Sequence, residues 1–136
     1  MAKDTLTIVR DWHEAFDVPV VDTPAIPKAR AQMRLAILEA EVAELRTAVE
    51  DGNLVEVLDA LCDIQYVLDG TFLEFGQHSL KQAAMEEVHA SNMSKLGVDG
   101  KPVLREDGKV LKGPAFCRPD LARILKDGQR RPAKDK

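Results

Sequence analysis

At 136 residues, 45% of them apolar, the chain can bury one hydrophobic core and is expected to be a single domain. Aromatic residues make up only 4%, and Leu, Ala and Val dominate, a composition that favours packed helices over a β-sandwich. A net charge of −4, no leader-like start and no run long enough to span a bilayer argue for no nucleic acid, no membrane and a cytoplasmic setting.

From Asp4 to about Phe16, apolar residues recur at Leu6, Val9, Trp12 and Phe16, which predicts a first amphipathic helix. The segment from Asp17 to Pro27 holds three prolines and two aspartates and reads as an irregular connection. A second helix is expected from about Lys28 to Val49, with Met33, Ile37, Ala40 and Leu45 as its apolar stripe. The turn signal Asp51-Gly52-Asn53 ends it. Asn53 with Glu56 then resembles a capping arrangement for a third helix, which runs to about Phe75 before Gly76 stops it. Ser79 with Gln82 predicts a capping box for a fourth helix reaching about Leu96.

Beyond it, Asp107-Gly108 between two short apolar runs predicts a two-residue hairpin turn. Pro119 is placed at the start of a short terminal helix over DLARILK. The fold class is therefore all-α, a four-helix arrangement with a small C-terminal hairpin. The domain is expected over 1–126, and 127–136 as a flexible basic tail. Cys62 reads as a buried small apolar residue and Cys117 as a loop residue, with neither metal spacing nor a disulfide framework.

Four carboxylates carry the chemical signal. Glu41 and Glu44 stand three apart on the second helix, and Asp59 and Asp63 stand four apart on the third. Asp59 and Asp63 lie among Val57, Leu58, Leu61, Cys62, Ile64, Val67 and Leu68, where an unpaired charge is costly unless a cation accompanies it. A fold-back at Asp51-Gly52-Asn53 brings the two pairs level. Oxygen ligands without histidine or thiolate fit a hard divalent ion, Mg²⁺ or Mn²⁺, at roughly one to three ions per site, together with a phosphorylated substrate. Glu56 is a further candidate ligand on the same helix face, although its place near the helix start equally fits a capping or dipole role. An acidic solvated face remains the alternative for Glu41 and Glu44.

Asn92 and Lys95, on one face of the fourth helix, could offer an amide to a nucleoside and a cation to phosphates; a polar helix end explains them equally well. Lys112 beside Gly113 is a weaker phosphate candidate. Trp12 is either a core anchor or a platform for a base. Glu86 stands three residues before His89, but a carboxylate-bridged iron bundle needs two such motifs and the chain has one.

Together these blocks resemble the all-α nucleoside triphosphate pyrophosphohydrolases, the MazG-like group that includes phosphoribosyl-ATP pyrophosphohydrolase and dimeric dUTPases. The carriers are EVAEL at Glu41 to Leu45, DALCDIQYVLDGT at Asp59 to Thr71, EVHASNMSKLG at Glu87 to Gly97 and REDGKVLKGP at Arg105 to Pro114. The last two look most like bacterial and phage members. The resemblance implies a helical homodimer, or a dimer of dimers, that cleaves a nucleoside triphosphate between its α and β phosphates with Mg²⁺. It places Glu41, Glu44 and Asp63 at metal-binding positions, and Asn92 and Lys95 at nucleotide-contacting ones. Two departures stand out: Ala40 and Ala60 occupy positions where the group usually carries Glu. Asp59 is the expected substitute, with Glu56 in reserve.

The expected activity is hydrolysis of a (d)NTP to a monophosphate and pyrophosphate. Glu41, Glu44 and Lys95 would be catalytic, the four carboxylates would bind metal, and Trp12 and Phe16 would wall the base pocket. The resemblance to phage members extends the expectation to pool remodelling during infection, of which dGTP to dGMP is an example. Two rivals stay open: a non-catalytic helical dimer with a regulatory nucleotide site, and a redox metal bundle.

Overall fold

The computed structural model describes residues 2–130 and is mostly helical, as the composition predicts. In chain order it holds α1 (Thr5–Ala15), α2 (Lys28–Glu50), α3 (Leu54–Glu74), a 3₁₀ turn (His78–Leu80), α4 (Lys81–Met93), β1 (Val103–Leu104), β2 (Val110–Leu111) and α5 (Leu121–Arg130). Among the described residues no helix is long and apolar enough to cross a membrane. The chain divides into two compact units, residues 1–79 and 80–136.

In the first unit, Asp4 caps α1 by accepting from the Thr7 amide at 2.8 Å. The buried face of α1 is formed by Val9 and His13. Trp12 and Phe16, expected on that face, are 40% and 64% exposed, so the helix is rotated relative to its apolar count. His13 sits inside because its Nδ1 meets the Pro19 carbonyl at 3.0 Å and ties α1 to the connection that follows.

Helices α2 and α3 form an antiparallel pair around Asp51-Gly52-Asn53. Asn53 Oδ1 accepts from the Glu56 amide at 3.1 Å, which bears out the expected cap. Of the expected inward stripe of α2, Ile37 and Leu45 hold and the rest differs. The observed stripe runs through Ala31, Arg34, Ile37, Glu41, Leu45 and Ala48, while Met33 and Ala40 face out. A stripe that includes Arg34 and Glu41 escapes an apolar count because two of its members are charged. On α3, Ala60, Val67, Gly70, Leu73 and Glu74 are buried. Cys62, expected inside, is exposed, as are Leu54, Val55, Leu58 and Leu61.

The charged members of these stripes are satisfied at one end. Arg30 grips Glu74 with two bonds, at 2.6 and 3.1 Å. Arg34 donates to Glu74 at 3.0 Å, to the Val67 carbonyl at 2.7 Å and to Thr71 Oγ1 at 3.2 Å. Burial lowers the pKa of Arg34 while Glu74 raises it, and the guanidinium keeps its charge at any working pH. Gly76 ends α3 at φ 67°, in the left-handed region, where a Cβ would also strike the Thr23 carbonyl. That close approach holds the proline-rich connection against α3, with Val21 and Ala25 donating to Leu73 and Phe75 carbonyls, both at 2.9 Å.

In the second unit the expected Ser79 capping box does not form. The chain enters through the 3₁₀ turn, Leu80 occupies the cap position without a side-chain bond, and Gln82 instead donates to Glu86 at 3.0 Å. Helix α4 ends at Met93, short of the expected Leu96, because Ser94 turns its hydroxyl onto the Ser91 carbonyl at 2.6 Å. The hairpin pairs Val103 with Leu111 and Leu104 with Val110. Its turn carries three residues, not two: Arg105 pairs with Lys109, and Gly108, at φ 85°, donates to the Arg105 carbonyl at 2.9 Å. Asp120, one residue after Pro119, is the true cap of α5 and accepts from the Arg123 amide at 3.1 Å. Glu87 holds Arg123 at 3.4 Å, which ties α5 to α4. The helix continues to Arg130, past Asp127 where the tail was expected, and 131–136 lie outside the described residues.

Candidate metal centre

Glu41 reaches the site because it lies on the inward stripe of α2, two turns beyond Arg34; Glu44 follows one turn later. Asp63 meets them from α3. One carboxylate oxygen from each of Glu41, Glu44 and Asp63 falls within 4.8 Å of the other two. Glu41 and Asp63 are half-buried and Glu44 is exposed. Glu41 Oε2 is buried and has no hydrogen-bond partner. An orphaned buried carboxylate oxygen among other acids is costly, and a divalent cation satisfies it.

The electrostatics agree. Glu41 is pushed above the usual glutamate range by burial first, then by its hydrogen bond with Glu44 and the charges of Glu44, Asp63 and Asp59. Asp63 is raised by burial, by the charges of Asp59 and Glu44, and by a hydrogen bond with Asp59. No side-chain cation appears among these causes. The residues fit a hard divalent ion: oxygen donors only, and convergent.

The remaining expected residues fall around this centre or elsewhere. Asp59 is exposed and stands outside the converging triad, and its charge helps raise the pKa of Asp63. Ala60, at the usual acidic position, is 3% exposed and packed inside, leaving Asp59 beside it as the nearby acid. The apolar surroundings first assigned to Asp59 are not a core, since Leu58, Leu61 and Cys62 are themselves exposed. Glu56 stands outside the triad but lines a cavity of about 330 Å³ near the α2–α3 turn that Glu44 also walls, together with Thr47 and Asp51. Trp12 stacks on Phe16 at 4.9 Å and meets Tyr66 edge-on at 6.3 Å.

In the second unit, Asn92 is exposed on the last turn of α4, and Lys95 lies in the turn beyond it rather than on the helix. The Gly113 amide donates to the Lys95 carbonyl at 2.9 Å, where a Cβ would collide with that carbonyl, so the Lys112-Gly113 strand end is strapped to the end of α4. Lys112 Nζ lies 4.8 Å over the Phe116 ring. His89 is exposed and takes no part in the carboxylate triad.

Sequence reasoning missed His13, Arg34, Asp69 and Glu74, all buried. Helical spacing alone gave no usable signal for them, because a charged residue within a stripe reads as surface until its partner is known.

The profile of the phosphoribosyl-ATP pyrophosphohydrolase family matches residues 9–92, which spans the carboxylate centre. The chain belongs to that family. A curated protein of Acanthamoeba polyphaga mimivirus, uncharacterized, is 34% identical over 83 residues, covering 61% of this chain and 30% of its own length. The chain thus spans less than a third of that relative. A crystal structure from Exiguobacterium sp. 255-15, described as a "putative NTP pyrophosphohydrolase", is 29% identical, with 94% of this chain and 95% of the other covered and a TM-score of 0.45.

Proposed function

We propose that this family member is a Mg²⁺-dependent nucleoside triphosphate diphosphohydrolase that converts a (d)NTP to its monophosphate and pyrophosphate. The observation that carries the reading is the converging triad of Glu41, Glu44 and Asp63 with the unpartnered Glu41 Oε2. A triphosphate and three carboxylates repel each other, so the two meet only through a cation. Glu41, Glu44 and Asp63 would hold it, with the charge of the neighbouring Asp59 adding to the pull on a cation. Bound there, Mg²⁺ or Mn²⁺ supplies charge neutralisation of the phosphates and lowers the pKa of an attacking water. The exposed carboxylate of Glu44 would accept the proton of an attacking water, whose oxygen bonds to the α-phosphorus while pyrophosphate leaves with the bridging oxygen.

Lys95 and Lys112 offset phosphate charge, Asn92 contacts the nucleoside, and Trp12 with Phe16 flanks the base. A homodimer, or a dimer of dimers, is part of this reading. Its support is the exposed apolar run of α3, with Leu54, Val55, Leu58 and Leu61 at 82, 74, 65 and 50% exposure.

The deciding experiment is incubation with the eight common NTPs and dNTPs plus Mg²⁺, following monophosphate and pyrophosphate. Equimolar release of the two supports the proposal. Orthophosphate alone, or no turnover of any substrate, overturns it.

A further inference from the structure

His13 on α1 is 1% exposed, and α2, α3 and the proline-rich connection all bear on it. Its backbone carbonyl accepts from the Val18 amide at 2.8 Å, and its Nδ1 meets the Pro19 carbonyl at 3.0 Å. One residue thus staples both sides of the turn that Asp17 makes at φ 55°. A carbonyl only accepts, so Nδ1 carries the proton and the neutral ring keeps a lone pair at Nε2.

Gly70 decides what Nε2 faces. A Cβ there would stand 2.4 Å from Arg34 Nη2 and 2.9 Å from His13 Nε2, so both nitrogens lie against the same bare stretch of α3. Arg34 Nη2 is the atom that donates to the Val67 carbonyl at 2.7 Å, and Val67 stands about one turn from Asp63. The charged groups acting on the ring are Arg34 and Arg30 from α2 and Glu74 from α3, and the connection adds the Pro19 carbonyl. Burial opposes a second proton most strongly, and the two arginines oppose it further. Pro19 and Glu74 favour it.

That second proton can enter only at Nε2. It replaces a lone pair with a positive N–H on the side where the guanidinium lies, and two buried like charges repel. Glu74 is already shared by Arg30 and Arg34 and does not neutralise a third cation. We infer that His13 is an acid-sensing control on divalent-ion binding by Glu41, Glu44 and Asp63, acting through Arg34. The inference rests on the metal reading of those carboxylates. With His13 neutral, Arg34 holds α2 against α3 and the triad keeps its spacing. With His13 charged, Arg34 withdraws from Val67, the helix pair loosens beside Asp63, and the ion is held less tightly. His13 and Arg34 are positioning residues.

Linkage makes the effect reciprocal: if a proton on His13 weakens the ion, the ion weakens the proton by the same factor. The wild-type protein therefore supplies the main test. The His13 ring is titrated by NMR from about pH 8 to 5 with and without saturating Mg²⁺, its signals assigned by their loss in His13→Asn. About 0.5 M KCl screens direct repulsion between ion and ring. Mg²⁺ is expected to lower the proton affinity of His13 by about 5-fold or more. Calorimetric Mg²⁺ affinities separate control from support: His13→Asn should flatten their pH dependence, whereas a merely structural role lowers affinity equally at every pH. In Arg34→Lys, which keeps the charge but not the fork, ion and proton should bind independently. The wild-type linkage decides alone if that variant does not fold. An ion that leaves the His13 titration unmoved, a ring that stays neutral throughout, or coupling that persists in Arg34→Lys overturns the inference and leaves the metal centre standing. If Mg²⁺ fails to perturb the Glu41 and Asp63 signals, the metal reading falls and the inference falls with it.

Discussion

The two ends of the α2–α3 pair treat buried acids in opposite ways. Toward the end of α3, Glu74 is 1% exposed and gripped by Arg30 and Arg34. Nearer the turn, Glu41, Glu44 and Asp63 converge, the charges acting on Glu41 and Asp63 are those of other acids, and Glu41 Oε2 has no hydrogen-bond partner. Both groups sit on the same helices, and Arg34 and Glu41 share one stripe. Where an acid is part of the framework, the chain supplies the cation. Where the chain supplies none, the acids are left open to a divalent ion.

Substitutions at the two ends should therefore separate activity from stability. Asp63→Asn or Glu41→Gln is expected to lower kcat/KM by about 1,000-fold, a loss typical of groups acting on developing charge. The same changes leave the unfolding midpoint unchanged or raise it, since they relieve repulsion among acids. A large loss of stability there would show that the triad is framework after all. Arg34→Met is the reverse case. It strips a buried acid of a partner and should cost about 3–5 kcal/mol in denaturant unfolding; a near-neutral result would erase the contrast between the ends.

A third, smaller effect comes from the ion itself. Mg²⁺ at about 100 times its dissociation constant should stabilise the wild type by about 2.7 kcal/mol. Asp63→Asn should lose most of that gain in a thermal melt. The smallest effect is in pH. His13 faces Arg30, Arg34 and Glu74, and burial lowers its pKa. The unfolded chain thus binds the proton first, so the arginine end contributes stability above about 6.5, the ordinary histidine value, that is lost as pH falls through it. Glu41 and Asp63 are raised, so protonation relieves the metal-free cluster as pH falls toward the carboxylate range. Unfolding curves between pH 7.5 and about 5 for His13→Gln against wild type should show a shallower acid loss in the variant.

Much of this is legible in the sequence. The turn at Gly52 and the spacing of Glu41, Glu44 and Asp63 put three acids in one place, because helical period and one fold-back determine it. The Arg34–Glu74 pair was not legible. Its members are 40 residues apart, and counting apolar periodicity assigns each of them to solvent. Trp12 and Phe16 illustrate the converse error: being apolar at the right spacing did not bury them, since His13 had a carbonyl to meet and took the inner face. The Ala60 departure was visible in sequence. What it entails, a packed methyl with Asp59 displaced to the rim, needed the helix pairing.

Arg34 touches the Val67 carbonyl, Thr71 and Glu74 at once, and so fixes how far α2 can slide along α3. Glu41 follows it by seven residues, about two turns, or roughly 10.5 Å of rise with a net rotation near 20°. The fork therefore acts as the zero mark of a ruler on which the carboxylate centre is read off. Inserting a single residue between Arg34 and Glu41 would turn the acid by about 100° and empty the centre, with every ligand still in the chain.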